Sequence, residues 1–324
     1  MPAAGIDYPR TVGELNAWFP DDAVCLAYLA RLRWPAGFIC PRCANVGAWL
    51  MSDGLSRCTV CRARVSPTAG TVFAGTRTPL RMWFQAAWYI TNQKQGVSAL
   101  GLQRALGLGS YETAWAWLHK FRRAMVRRGR DRLSGEVEAD ETYVGGVAPG
   151  KRGRGAGKKE IVEVAVEKRG AGMGRVRLTR IPDITGESLL AAIEESVEQG
   201  AVVYTDHYSG YNGLGAAGYV HYPTAISNTG DPAHVVMPRV HRIAALLKRW
   251  LLGTHQGAVR PHQLDYYLDE YTFRFNRRGS NHRGLLFYRL LEQAVQIDPV
   301  PLTAIIGGKR AQPRAKPHQG QSTG

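Results

Sequence analysis

The order of hydrophobic and polar positions divides the chain into stretches with different periods. From Leu80 onward apolar residues recur at near-helical spacing, and three helices are predicted in LRMWFQAAWYITNQ, VSALGLQRALGL and SYETAWAWLHKFRRAMVRR. At Gly135 the period changes to two. Three consecutive strands are predicted there, at 135–144, 161–166 and 175–181. An all-α region is therefore followed by a region that begins with β structure.

Helical and strand patterns alternate in the rest of the chain. An amphipathic helix is predicted at 186–197, a buried strand at 201–205 ending at Asp206, a further strand at 218–222, and helices at 237–252, 261–276 and 285–295. Three strands, a helix and two more strands are typical of the ribonuclease-H-like fold. We therefore expect an α/β catalytic domain with a mixed five-strand sheet over 135–298, preceded by smaller domains.

Four of the five cysteines form two pairs with zinc-ligand spacing. Cys40 and Cys43 are separated from Cys58 and Cys61 by a segment that reads as strand, turn and strand. Two short-spaced pairs can hold one tetrahedral ion in a closed structural site, so we predict a zinc ribbon over 36–66. Two disulfides would be the alternative in a secreted chain, but no signal peptide is visible. The fifth, Cys25, lies in an apolar helical pattern and is expected to be buried.

The last two helices of the all-α region indicate a helix-turn-helix over 78–130. A turn at 107–110 separates them, and Ser110 is placed to cap the second helix. An ordinary helical linker with a buried apolar face is the alternative. The residues predicted to contact DNA in this region are Tyr111, Lys120, Arg122, Arg123, Arg127 and Arg128. Two short amphipathic segments, at 11–19 and 21–33, form a helical start over 1–35.

The charge of the chain supports a nucleic-acid partner. It carries 42 Lys and Arg against 26 Asp and Glu, a net charge of +16. Such an excess favours a polyanion, because neutralised phosphates release counterions. No segment has the apolar length of a membrane span, so we expect a cytoplasmic protein that does not bind membranes. The glycine-rich loop after the first strand adds Lys151, Arg152 and Arg154 as phosphate contacts, and the polar tail over 307–324 is expected to be disordered.

Two aspartates fall where a ribonuclease-H-like sheet carries its acids. Asp140 lies on the first predicted strand and Asp206 ends the fourth, and these strands are neighbours in that topology. Carboxylates brought so close require cations, so we expect two divalent ions, Mg²⁺ or Mn²⁺. Glu138 shares the face of Asp140 by strand alternation and is a second-choice ligand or a salt-bridge partner. Glu141 is expected to point away.

The helix at 237–252 offers a third ligand. His241 and Lys248 are seven residues apart and therefore lie on one helical face. His241 would offer an imidazole nitrogen to a metal, and Lys248 would hold a DNA phosphate, with Arg249 beside it as a further DNA contact. A capping or core role for His241 is the alternative.

Several motifs together resemble the DDE-type insertion-sequence transposases of the zinc-ribbon subgroup. They are CPRC…CTVC, the helix pair, EADETYVGG around Asp140, YTDHYSGY around Asp206, and VHRIAALLKRWLLGTHQGAV with YLDEYTFRFNRR. In that subgroup the third position is commonly Glu or Asn with a Lys seven residues later, so the resemblance assigns His241 and Lys248 to these places. The departure to His removes one negative charge from the metal cage and favours Mn²⁺ somewhat.

The resemblance implies a DNA transposase. It would bind the terminal inverted repeats of its element, hydrolyse phosphodiester bonds and join the 3′ ends to target DNA, as a homodimer or larger assembly on double-stranded DNA. Two alternatives share its residues: an inactive zinc-ribbon and helix-turn-helix regulator, and a metal-dependent nuclease that does not join strands. The presence of both aspartates and Lys248 favours an enzyme.

Overall fold

A computed structural model of the chain describes residues 2–127, 129–145, 159–224, 233–257 and 259–307. Arg128, the predicted phosphate contacts Lys151, Arg152 and Arg154, and the tail from residue 308 lie outside these residues. The chain forms two compact units. The first combines 1–92, 99–124 and 282–324, and the second combines 93–98 and 125–281.

The described elements follow one another in nearly the predicted order. The helices are α1 (Val12–Trp18), α2 (Asp22–Arg33), α3 (Leu80–Asn92), α4 (Ala99–Leu106), α5 (Tyr111–Ala124), α6 (Gly186–Ser196), α7 (Ala233–Val236), α8 (Pro238–His255), α9 (Leu264–Asn276), α10 (Arg283–Ala294) and α11 (Leu302–Ile306). The strands are β1 (Ala48–Leu50), β2 (Ser56–Cys58), β3 (Arg64–Val65), β4 (Glu136–Val144), β5 (Glu160–Arg169), β6 (Gly172–Ile181), β7 (Val202–Asp206) and β8 (Val220–Thr224). None of the described helices is both long and apolar enough for a membrane crossing.

Local side chains begin the helices of the first unit. Thr11 Oγ1 accepts a hydrogen bond from the backbone N–H of Glu14 at 3.1 Å, and Asp21 Oδ1 accepts one from Val24 at 3.0 Å. Both bonds satisfy amides that lack a partner within the helix. At the start of α5, Ser110 Oγ accepts from the amide of Glu112 at 3.1 Å, which confirms the predicted cap.

An aromatic core joins the early helices of the first unit to α10. Phe84 of α3 lies 4.7 Å from Phe19 and 5.8 Å from Phe287, measured between ring centroids. Phe287 is fully buried among these rings. The sequence interpretation assigned α10 to the catalytic domain, with a boundary at residue 298, but the helix belongs to the first unit because its apolar face completes this core.

The second unit contains the five-stranded sheet that the sequence predicts. Its strand order is β6-β5-β4-β7-β8, so the first and fourth strands of the domain are neighbours. β4 pairs in antiparallel fashion with β5 and in parallel with β7. This mixed sheet confirms the predicted ribonuclease-H-like α/β class.

Both faces of the sheet are covered, and each cover has its own core. On one face α8 and α9 pack against the even-numbered valines of β5, through buried residues of α8 that include Val240, Ile243 and Leu247. On the other face α6 and the 3-10 turn 209–214 pack against Val137, Ala139 and Ala165. A one-residue step along β4 therefore moves a side chain from one core to the other.

Candidate functional site

The four paired cysteines converge in the first unit. Their sulfur atoms all lie within 4.8 Å of one another, and Cys40 Sγ–Cys61 Sγ and Cys43 Sγ–Cys58 Sγ are each 3.6 Å. Four sulfurs at about 2.3 Å from one tetrahedral ion would be separated by roughly 3.8 Å. Burial raises the pKa of the Cys58 thiol, but hydrogen bonds from the backbone N–H groups of Cys61 and Val60 and with the thiols of Cys43 and Cys61 together lower it to about 6. The cluster fits a structural zinc ribbon, while Cys25 is fully buried elsewhere, as expected.

Asp140 lies in the middle of β4 and Asp206 ends the neighbouring parallel strand β7. The register of β4 and β7 pairs Glu138 with Tyr204, and Asp140 and Asp206 each lie two residues further along their own strands. Both aspartates therefore occupy one sheet face. Asp140 Oδ1 accepts from the backbone N–H of Glu141 at 2.9 Å, and Asp206 Oδ1 accepts from Tyr208 at 3.1 Å.

The helix α8 brings the two remaining predicted residues to this face. His241 follows the buried Val240, and Lys248 follows the buried Leu247, so both stand at the same offset from the core stripe. His241 Nε2 lies 3.9 Å from Asp140 Oδ2. Desolvation by the surrounding chain lowers the pKa of Lys248, as does Lys159, whereas Asp140 raises it. The structure thus brings His241 close to Asp140, with Lys248 within electrostatic reach of Asp140, and it places Asp206 on the same sheet face.

Glu138 is not available as a metal ligand. Its carboxylate forms an ion pair with Arg239 at 2.6 Å, and the glutamate is 4% exposed. The prediction that it shares the face of Asp140 is confirmed. Of the two roles that the sequence left open, the salt bridge is the correct one, although it is buried rather than on the surface.

A second acidic group, missed by the sequence interpretation, lies on the opposite face of the same strands. Glu141 points away from Asp140, as expected, and its Oε2 accepts a hydrogen bond from Tyr211 Oη at 3.3 Å. Glu163 stands directly across from it on β5 and is fully buried. Burial, followed by the charges of Asp140 and Glu141, raises the pKa of Glu163 well above its ordinary value. In the sequence, only the alternation of side chains along β5 could have indicated that Glu163 is buried.

The predicted DNA contacts on α5, just after its end and on α8 have different surroundings. Tyr111 is 54% exposed in the first turn, and Arg127 is exposed and pairs with Asp131 at 3.2 Å. Lys120 is half-buried with its Nζ 5.6 Å from the ring of Trp83. Arg123 is half-buried, and Arg249 of α8 is exposed.

Arg122 requires a correction. It is 1% exposed, and its Nη1 lies 3.4 Å from His119 Nε2 inside the first unit. The buried face of α5 is wide enough to include Arg122. A phosphate does not reach this side chain, so the predicted DNA contact is wrong.

The strand order, with the two aspartates on neighbouring strands, defines a ribonuclease-H-like domain of the DDE type. Residues 132–276 match the family model described as an ISXO2-like transposase domain, and residues 20–64 match a transposase zinc-ribbon domain. With both domains in this order, the chain is similar to insertion-sequence transposases that carry a zinc ribbon before the catalytic domain. A Halobacterium salinarum protein, described as an uncharacterized protein in transposable element ISH50, is 28% identical over 270 residues, which cover 76% of this chain and 88% of that protein.

Proposed function

We propose that the protein is a DNA transposase that cuts phosphodiester bonds at the ends of its element and joins the 3′ ends to target DNA. The observation that carries the proposal is the placement of Asp140 and Asp206 on one face of two neighbouring strands, with His241 Nε2 3.9 Å from Asp140 Oδ2. The match of this domain to a transposase family supports the same reaction class.

The residues on this face fit divalent cations. Two carboxylates and an imidazole are donors that suit Mg²⁺ or Mn²⁺. Negative charge also accumulates on both faces of these strands: after burial, the charges of Glu141, Glu163, Asp140 and Asp206 all raise the pKa of Tyr211. Asp140, Asp206 and His241 would hold the ions. When bound, two ions would activate the attacking water or 3′-hydroxyl and stabilise the leaving oxygen.

Basic residues near the site would position the phosphodiester. Lys248 is exposed on α8, two helical turns from His241, and Arg249 follows it. The ammonium group of Lys248 would neutralise a phosphate oxygen, and as a cation it would not itself bind the metal ions. Contacts of this kind fix the register of the DNA and carry no sequence information.

Recognition of the element ends would fall to the first unit. The zinc ribbon and the helix pair α4–α5 lie there, and α5 begins with the exposed Tyr111. A helix that follows such a turn is placed to enter a major groove of double-stranded DNA. Because two ends must be cut and joined together, we propose a dimer or larger assembly on DNA.

A strand-transfer assay tests the proposal. Labelled oligonucleotides carrying the element's terminal repeats are incubated with a target plasmid and Mn²⁺, and both cleaved and joined products are measured. We expect Asp140→Asn and Asp206→Asn each to reduce both products about a thousandfold or more, since each loses several kcal/mol of charge stabilisation. Glu187→Gln, at an exposed position of α6, is the control and is expected to keep full activity.

The other outcomes identify the alternatives. Cleavage without joined products would indicate a nuclease, and binding to terminal repeats with neither product would indicate a regulator. Undiminished cleavage by either asparagine variant would contradict the assignment of the aspartates.

A further inference from the structure

Glu138 makes three hydrogen bonds on the sheet face that carries Asp140. Its Oε1 accepts from Arg239 Nη1 at 2.6 Å, and its Oε2 accepts from the backbone N–H groups of Arg239 and Val240 at 2.9 and 3.2 Å. All three donors belong to the first turn of α8. Since Glu138 is 4% exposed, water scarcely competes for these bonds.

These contacts supply a cap that the sequence of α8 lacks. The first amides of a helix have no partner within it, and Met237 at the N-cap offers no side-chain bond. Glu138 provides the missing acceptor from β4, and its negative charge faces the positive end of the helix dipole. The start of α8 is therefore fixed to the strand of Asp140 by a residue far away in the sequence.

Arg239 extends the attachment to the turn between β5 and β6. Its Nε donates to Gly172 O at 2.9 Å and its Nη2 donates to Gly170 O at 2.5 Å. With Nη1 on Glu138, every guanidinium nitrogen has an acceptor, and the side chain is 14% exposed. The first turn of α8 is thus held by two separate parts of the sheet.

We infer that Glu138 and Arg239 are positioning residues that hold His241 against Asp140. Each lies two residues from the member of that pair on its own element. Their ion pair therefore joins the same two elements as the 3.9 Å approach of His241 Nε2 to Asp140 Oδ2. The inference rests on the proposed function, because it treats Asp140 and His241 as metal ligands.

The chemistry of the third ligand explains why such an attachment matters. A carboxylate is drawn to a cation by its charge and can ligate through either oxygen. A neutral imidazole offers one lone pair in the ring plane and no charge. The bond between an imidazole and a metal therefore depends more strongly on where the helix places the ring. The protein must hold α8 in position before the metal binds.

Manganese binding to the full chain tests the inference. The protein is labelled with ¹⁵N-histidine, Mn²⁺ affinity is measured by EPR titration, and imidazole ligation is detected as ¹⁵N coupling in pulsed EPR. In the wild type we expect a coupling that His241→Ala removes. Glu138→Gln is expected to lose this coupling and to bind Mn²⁺ about 10–100-fold more weakly, as for other residues that orient metal ligands.

A matched control separates positioning from general stability. Glu167 is 5% exposed and pairs with Arg175 at 2.5 Å on the same sheet, but its bonds do not involve α8. Glu167→Gln is expected to keep the wild-type affinity and coupling even where its melting temperature falls as far as that of Glu138→Gln.

Each result decides a specific point. Undiminished coupling and affinity in Glu138→Gln would overturn the positioning role and leave the proposed function intact. A wild type without His241-dependent coupling, or with Mn²⁺ binding that Asp140→Asn does not weaken, would overturn the proposed metal site and this inference with it. Should Glu138→Gln fail to fold, Arg239→Gln breaks the ion pair from the other side, with the same loss expected and the same retention contradicting it.

Discussion

The zinc ribbon and the acidic site are built in opposite ways. All four ribbon ligands come from one short segment, and two tight knuckles bring their sulfurs within 4.8 Å of one another. The acidic site takes its residues from β4, β7 and α8, which are far apart in the sequence. The first arrangement needs only local turns, whereas the second needs a parallel strand register and a helix attached to the sheet by Glu138 and Arg239.

The two sites also differ in the ligands that they offer. Four thiolates close a tetrahedral site and leave no open position, which suits a structural ion. Two carboxylates and an imidazole leave positions for water and phosphate oxygens, which suits catalysis. The comparison indicates that a local, closed site tolerates a loose surrounding fold, while an open site assembled from distant elements depends on the groups that fix those elements.

Removal of one zinc ligand is expected to give the largest effect. A structural zinc contributes about 10–16 kcal/mol to the folding of a small site, so Cys58→Ser should lose stoichiometric zinc, measured by mass spectrometry, and the binding of terminal repeats. The Mn²⁺ affinity of the second unit should stay unchanged. Cys25→Ser is the control, because burial raises the pKa of the Cys25 thiol to about 12 and its sulfur lies outside the cluster. Full zinc content in Cys58→Ser would contradict the four-sulfur site.

A carboxylate in place of His241 should strengthen the contrast between the acidic site and the zinc ribbon, because it adds a negative charge to the acidic site alone. His241→Glu adds a carboxylate to a site that holds two, so we expect about tenfold tighter Mg²⁺ binding, equivalent to ~1.4 kcal/mol, and a smaller change for Mn²⁺. Isothermal titration of both ions into the wild type and the variant measures this. His221→Glu, at a half-buried histidine of β8 outside the proposed ligand set, is the control. Equal Mg²⁺ affinity in wild type and His241→Glu would mean that position 241 does not face the ions.

The buried Glu163 should produce a pH dependence of stability. Because burial raises its pKa above the ordinary 4.5, the folded, metal-free protein keeps a proton that the unfolded chain loses. The free energy of unfolding should therefore fall by up to about 1.4 kcal/mol per pH unit above that value, until the folded-state pKa is reached. Glu163→Gln should remove this slope in urea unfolding at pH 5 to 8.

The pKa of Glu167, on the same strand, is shifted in the opposite direction, so stability should depend on pH with the opposite sign. Burial raises its pKa, but hydrogen bonds from Arg175 lower it more, so its pKa ends below the ordinary value. Its stabilising contribution is present at neutral pH and is lost as the pH falls through the folded-state pKa. Glu167→Gln should therefore destabilise the protein at pH 7, and a parallel pH response of the two variants would contradict both assignments.

The sequence predicted what depends on spacing and period. Cysteine spacing identified the ribbon, and the change of period at Gly135 indicated the strands of the sheet. The neighbouring positions of the strands that carry Asp140 and Asp206 came from the likeness of the element order to a ribonuclease-H-like fold. The burial of Arg122 was missed because its helix has a wider buried face than the apolar residues indicate, and the role of Glu138 was left open because its partner Arg239 is a hundred residues away.

The first unit is formed from segments that are far apart in the sequence, and this affects how it folds during synthesis. Its core needs Phe287 of α10, and all of the second unit except residues 93–98 lies between that helix and α5 in the sequence. At about 5–20 residues per second, a ribosome makes the intervening segment in roughly ten to thirty seconds, while the early helices wait with their aromatic rings uncovered. The region proposed to recognise DNA ends is thus the first to be translated and the last to be completed. A nascent chain released before residue 283 carries an unfinished core, so truncated products would be targets for chaperones and proteases rather than competitors for the element's ends.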